Sequence, residues 1–357
     1  MGSAMVGVQR HVSGGHRGSR HVAGALVVGA FLPGLLLPEQ AGARPAWRPP
    51  AGKVLLGVAT KEGTARFDLL TRHRHHIRSV YPPWGMDPVA MLEGARRDRV
   101  RLMVHLKPRR RDPFLKLTLA QLARGRGDRH LIALSAAYNR SGRFVYVRPM
   151  SEMNGHWNFY CAFNKDGTAR GPDWSTRRYR QAFQRIAIIM DGGSRRWINR
   201  RLGRLGLNGV RFRFGVIRPS GRVATVWNPQ GTGKPAIPQN APQAYWPGSP
   251  FVDIVAVDIL GWGRTGRAAW RPMDALYRRY PAKPFLVGEW GLVRYDAPSY
   301  LRRMFRYAAD HRRVIALAWF DGGRRQTGLR LRGKPLSLQV YRLRANAPRH
   351  ACRRCAW

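Results

Sequence analysis

Acidic residues are scarce in this chain of 357 residues: 19 Asp and Glu stand against 64 Lys and Arg, for a formal net charge of +45. Such an imbalance favours anionic partners through long-range attraction, whether cell-wall polymers, acidic glycans, lipid head groups or nucleic acid. Lysine is scarce as well. Only eight of the 64 basic residues are Lys, so the excess is arginine spread along the whole chain, the pattern that a GC-rich coding sequence produces without selection for a ligand. No compact basic arm and no nucleic-acid-binding motif accompanies it, which argues against a specific nucleic-acid partner and leaves electrostatic association with anionic cell-surface polymers.

Three cysteines allow at most one disulfide and exclude a disulfide-framework fold. Cys352 and Cys355 have redox or metal spacing, but no second such pair and no suitably spaced histidine pair completes a zinc site. His73, His75 and His76 read as a solvated helix end rather than metal ligands. Long apolar runs are missing too. The run Ala23 to Leu37 is interrupted by Gly29, Pro33 and Gly34 and falls short of the roughly 20 residues a spanning helix needs. Arg10, Arg17 and Arg20 precede it and Ala41-Gly42-Ala43 follows it, so residues 1–43 read as a cleaved export signal, with an N-terminal anchor as the alternative. Export predicts an extracellular protein beginning near Arg44; the leader carries three Arg and one Glu, so +43 remains.

What the chain does have is 44% hydrophobic residues and 12 Trp, enough for a large core with indoles to spare for a binding surface. Eight short strand-like runs recur at helix-length intervals: Val54–Ala59, Ile77–Tyr81, Arg101–Leu106, Phe144–Arg148, Arg211–Ile217, Val252–Asp258, Phe285–Glu289 and Val314–Trp319. Between them lie amphipathic segments. In the clearest, Tyr179, Phe183, Ile186 and Met190 form one apolar stripe, Ser175 is the N-cap, and Arg177, Arg178 and Arg185 are expected on the outer face. Asp87–Arg99 and Pro298–His311 are similar. Eightfold strand–helix alternation predicts an α/β fold, a (β/α)8 TIM barrel forming a single catalytic domain over residues 44–345, with 346–357 as a C-terminal tail. A doubly wound open sheet is the alternative. Against it, no G-x-G-x-x-G follows the first run, and acidic residues follow several different runs rather than one switch point.

In such a barrel the active site forms at the carboxyl ends of the strands. Glu152, in RPMSEMNGHW, and Glu289, in FLVGEWG, fall there, after the fourth and seventh runs. Two carboxyl groups at that end suit glycosidic hydrolysis, in which one protonates the leaving oxygen and the other attacks or stabilises an oxocarbenium-like carbon. The alternative for either alone is a structural ion pair with arginine. Trp84, Trp157, Trp227, Trp262 and Trp319 lie at or beyond strand ends and are candidates for stacking on sugars, about half of them expected to be core instead. Arg148 and Asn154 are expected to shape the site. His105 either reaches a sugar hydroxyl or is a satisfied core histidine.

RPMSEMNGHW resembles the acid/base motif R-P-x-H-E-x-N-G-x-W of glycoside hydrolase family 26, and VGEWG resembles its nucleophile motif. Intervening landmarks are Val226–Pro229 (VWNP), Tyr245–Gly248 (YWPG), the VDIVAVD run and Ala318–Gly322 (AWFDG), so the resemblance spans about residues 53–322. It implies a retaining endo-glycosidase without a cofactor, with β-1,4-mannan as the leading polysaccharide substrate, Glu152 as acid/base and Glu289 as nucleophile; with the export signal, a secreted protein that acts as a monomer is expected. Two positions depart from the family pattern. Ser151 stands where a histidine normally precedes the acid/base, and Leu260 stands where a tyrosine normally bonds the nucleophile. These departures support the alternative of a catalytically impaired carbohydrate-binding barrel; a basic polymer- or nucleic-acid-binding protein rests on charge alone.

Overall fold

Continuous apolar runs dominate the strands of the computed structural model, which describes residues 45–107, 117–322, 327–352 and 355. The eight strands are β1 (Leu55–Ala59), β2 (Ile77–Val80), β3 (Arg101–Leu106), β4 (Val145–Pro149), β5 (Val223–Trp227), β6 (Ile254–Gly261), β7 (Phe285–Leu292) and β8 (Val314–Phe320). All neighbours are parallel, and β8 pairs with β1 to close the barrel. Helices return the chain between strands, except that short 3-10 turns alone connect β5 to β6. They are α1 (Thr64–Thr71), α2 (Val89–Asp98), α3 (Leu119–Ala123), α4 (Asp128–Arg140), α5 (Thr176–Met190), α6 (Arg195–Gly203), α7 (Trp270–Arg279), α8 (Pro298–Asp310) and α9 (Pro335–Ala345). The expected export signal lies outside the described residues.

Seven strands fall where the apolar runs placed them; the fifth does not. Arg211–Ile217 is not a barrel strand, and β5 is Val223–Trp227. A strand inside a parallel barrel is covered on both faces and reads as an unbroken apolar run. Arg211 and Arg213 alternate with half-buried Phe212 and Phe214, which fits an outer segment, whereas Ala224, Val226 and Trp227 are fully buried.

Two apolar layers result. Leu55, Met103, Tyr146, Val226, Ala256 and Leu286 fill the barrel, while the opposite faces of the strands pack against the helices. On α5 the Ser175 hydroxyl accepts from the Arg178 N–H at 3.2 Å, and Tyr179, Phe183, Ile186 and Met190 are all buried. Arg177 is exposed as expected, but Arg185 is not on the outer face: it is fully buried and donates to Asp128 and the Asn208 carbonyl. Helix α5 is covered on two sides, by α3 and α4 as well as by the barrel, and a buried guanidinium there requires its carboxylate.

His73, His75 and His76 are likewise buried rather than solvated. His75 bonds Asp68 at 2.6 Å and the Tyr341 hydroxyl at 2.8 Å, and His76 Nε2 bonds the Cys352 carbonyl at 3.1 Å. The covering residues come from α9 and from the segment beyond it, which a local reading does not bring near. Cys352 and Cys355 form a disulfide, and Cys161 is a buried thiol. At the amino-terminal end of the barrel, buried Arg101 donates to the carbonyls of Trp47 and Cys355, both at 2.6 Å, tying the two ends of the described chain together.

Candidate active site

Glu152 follows β4 on a backbone turn that only tertiary bonds explain. Met150 and Glu152 have φ of 48° and 57°, in the left-handed region, which costs a non-glycine residue on the order of 1 kcal/mol each. The turn is held by the Glu152 N–H donating to the Asn228 carbonyl (2.6 Å), the Tyr160 hydroxyl donating to the Ser151 carbonyl (2.6 Å), and the Asn158 amide donating to the Glu152 carbonyl (2.9 Å). Asn154 clips this loop to the one after β5, exchanging bonds with Gln230 at 2.8 and 3.0 Å. The Glu152 carboxylate accepts from the Trp157 indole at 3.0 Å and from the Gln230 amide.

Glu289 stands on β7 beside Asp258 of β6, its partner in register. Its carboxylate is 18% exposed and accepts from the Tyr81 hydroxyl at 3.0 Å and from Arg148 Nη1 at 3.4 Å. Arg148 is wholly buried and also grips Asp258 with two bonds, at 2.8 and 3.0 Å. Gly288 makes room for this crowd: a Cβ there would sit 2.4 Å from Asn228 Oδ1, 2.8 Å from Asp258 Oδ1 and 2.9 Å from Arg148 Cζ.

Two carboxyl groups therefore hold one guanidinium, and the Glu152 charge acts on it from farther away. Burial pushes the Glu289 carboxyl above its ordinary range, with Arg148 opposing and Glu152 adding to the rise. Asp258 is driven well up, first by burial and then by Glu289 and Glu152, against the pull of Arg148. Burial, followed by the Arg148 charge, holds His105 well below the usual imidazole range, so it is neutral. Its Nε2 accepts from Arg148 Nη1 at 2.5 Å, which places the proton on Nδ1, 3.4 Å from the Ser151 hydroxyl. The 3.5 Å approach of Nε2 to Glu289 is thus a packing contact rather than an ion pair.

Glu152, Asp258 and Glu289 open into one cavity of about 670 Å³, which Trp157 and Trp262 also line. These two indoles are 48% and 56% exposed, as a stacking surface requires. The other three tryptophans are core. Trp227 and Trp319 lie on the outward faces of β5 and β8, Trp227 against Trp246 and Tyr280 and Trp319 against Trp290 and Tyr341. Strand alternation decides this, since Val226 and Ala318, one position earlier, point inward. Trp84 is buried against His130. Leu260 lines the cavity, and the hydroxyl that reaches Glu289 comes from Tyr81, just beyond β2. Tyr81 and Asp258 both end strand-like runs, so the rule that singled out the two glutamates extends to them; Gln230, Lys234 and Arg267 lie in loops and carry no such signal.

No protein-family model and no curated protein sequence matches the chain. Solved structures do match. A β-mannanase of glycoside hydrolase family 26 from Bacteroides ovatus is similar over 84% of this chain and 90% of its own, with TM-score 0.54 and 12% identity. The fold resembles that of glycoside hydrolase family 26. An endo-β-1,4-mannanase double mutant from Cellulomonas fimi is similar over 84% of this chain and 72% of its own, with TM-score 0.53 and 11% identity. The Bacillus subtilis mannanase BCman covers 81% of this chain and 85% of its own, with TM-score 0.51 and 14% identity. At these identities the likeness to family 26 is one of fold, and the chemistry rests on the side chains.

Proposed function

We propose that the protein is a secreted, retaining endo-glycoside hydrolase that cleaves a β-linked polysaccharide, with β-1,4-mannan as the leading backbone because family 26 mannanases share the fold. The observation that carries the reading is the convergence of Glu152 and Glu289 on one tryptophan-lined cavity in unequal surroundings. Glu289 accepts from Tyr81 and Arg148, bonds that favour the carboxylate. Among the described residues Glu152 has no cation partner, and it is held toward the cavity by the Trp157 indole and the Gln230 amide, a position from which a carboxyl group can donate to a leaving oxygen.

In the first step a Glu289 oxygen bonds to the anomeric carbon as the glycosidic C–O bond breaks, and Glu152 gives its proton to the departing oxygen. In the second, Glu152 takes a proton from water, whose oxygen attacks the same carbon and releases Glu289. Arg148 and Tyr81 hold the nucleophile, while neutral His105 steadies Arg148. Substitution of the family's histidine by Ser151 motivates a second reading, a barrel that binds glycan without turnover.

Incubation of the protein with β-mannan, β-glucan and β-xylan, followed by reducing-end assay and proton NMR of the first product, tests the proposal. Cleavage with initial release of the β-anomer is expected. Release of the α-anomer would contradict retention, and binding with no new reducing ends would favour the second reading.

A further inference from the structure

The rim of the same cavity carries two cations that the carboxylate chemistry does not use. Lys234 is pinned to the Glu152 loop by its backbone: its N–H donates to the Asn154 carbonyl and its carbonyl accepts from the His156 N–H, both at 2.8 Å. Its ammonium lies 5.8 Å from the centre of the Trp157 ring. Arg267, in the loop between β6 and α7, exchanges backbone bonds of 2.7 and 2.8 Å with Trp262. Both cations are exposed and line the cavity. Among the described residues, neither has a carboxylate partner. Trp262 is thus bonded through the backbone to Arg267, and the loop that carries Trp157 is bonded through the backbone to Lys234.

A pyranose stacked on an indole presents its substituents at the ring edge, where a neighbouring cation meets them. A neutral sugar offers only hydroxyls there, whereas a uronate offers a carboxylate and a charge-assisted bond roughly twice as strong. The acceptors deeper in the cavity are already engaged, Glu152 with Trp157 and Gln230, Asp258 with Arg148, and Glu289 with Tyr81 and Arg148. These carboxylates repel an anionic sugar at the scissile position itself.

Resting on the proposed glycosidase reading, we infer that the natural substrate is an acidic β-linked glycan, with uronate sugars over Trp157 and Trp262 and a neutral sugar at the cleavage point. Lys234 and Arg267 are its specificity-determining residues.

Three matched probes test this: β-1,4-mannan, the same polymer partly oxidised at C6 to carboxylates, and the oxidised polymer after carboxyl reduction. The wild type is expected to favour the oxidised form in kcat/KM by about tenfold, the order expected of two partly exposed charge pairs, and to lose the preference on carboxyl reduction. The double variant Lys234→Gln/Arg267→Gln loses it too. Arg177→Gln, which removes a charge from the exposed face of α5, retains it and so controls for the overall charge. Equal rates on all three polymers, or a preference that survives in the double variant, overturns the inference while the glycosidase reading stands. If the wild type cleaves none of them, that reading fails, and gel retention on the same polymers decides the inference: retention by the oxidised form that depends on Lys234 and Arg267 supports it, and its absence overturns it.

Discussion

The Tyr81 hydroxyl donates to the Glu289 carboxylate at 3.0 Å, joining the end of β2 to β7 across the barrel mouth. Leu260 stands where the sequence resemblance to family 26 implies a tyrosine, and the hydroxyl on Glu289 comes instead from beyond β2. Tyr81 also lies against His105, with ring centres 4.0 Å apart, which links it to Arg148. A hydrogen bond to a charged group is worth about 1.5–3 kcal/mol, so Tyr81→Phe is expected to lower kcat roughly 10- to 100-fold. Steady-state kinetics beside a thermal melt measure it. Unchanged kcat in a folded variant would remove Tyr81 from the site.

The two glutamates should separate on an activated aryl glycoside. Glu289→Ala loses glycosyl-enzyme formation with every substrate. Glu152→Ala loses about 10²–10⁴-fold on polysaccharide but keeps the first step with the aryl leaving group, which departs without a proton. Mass spectrometry of a trapped intermediate and burst kinetics read the difference. Equal loss on both substrates by Glu152→Ala, together with normal turnover by Glu289→Ala, would reverse the assigned roles.

Gly288→Ala tests how tightly the carboxylate cluster is packed. The added Cβ meets Asn228 Oδ1 at 2.4 Å and Arg148 Cζ at 2.9 Å, neither of which can retreat from a buried site. Overpacking of this kind costs about 1–3 kcal/mol, and displacing Arg148 lowers activity further. A denaturant titration with parallel kinetics should show both losses; a variant with wild-type stability and rate would show that the cluster is loose.

Acid should weaken the fold through its buried histidines. Burial lowers His73 to about 4, His76 to about 3 and His350 to about 4, from an ordinary 6.5. The unfolded chain therefore binds protons that the folded one refuses as pH falls below 6.5, and stability drops from there down towards 4. Buried carboxyls with raised values, Asp253 and Asp321 among them, act in the opposite direction, so the histidine share has to be isolated. His73→Asn is expected to lose on the order of 2 kcal/mol less than the wild type between pH 7.5 and 4.5. Urea unfolding at the two values measures it, and identical losses would exclude His73.

The barrel was legible in the sequence because strands covered on both faces are mostly apolar, and seven such runs stood out at helix-length intervals between amphipathic segments. The same reading placed Glu152 and Glu289 at strand ends, where a barrel of this kind gathers its chemistry. The fifth run failed on local grounds: alternating Arg and Phe at 211–214 has strand character by composition, yet the strand between β4 and β6 is the short, mostly apolar Val223–Trp227. Orientation was the other matter left to tertiary structure. A one-residue offset turned Trp227 and Trp319 into the helix layer, burial of α5 on two sides drew Arg185 inward, and backbone bonds between loops set Lys234 beside Trp157. Sequence determines the period of an element and the chemistry it carries, while the packing of distant elements decides which side of it faces the substrate.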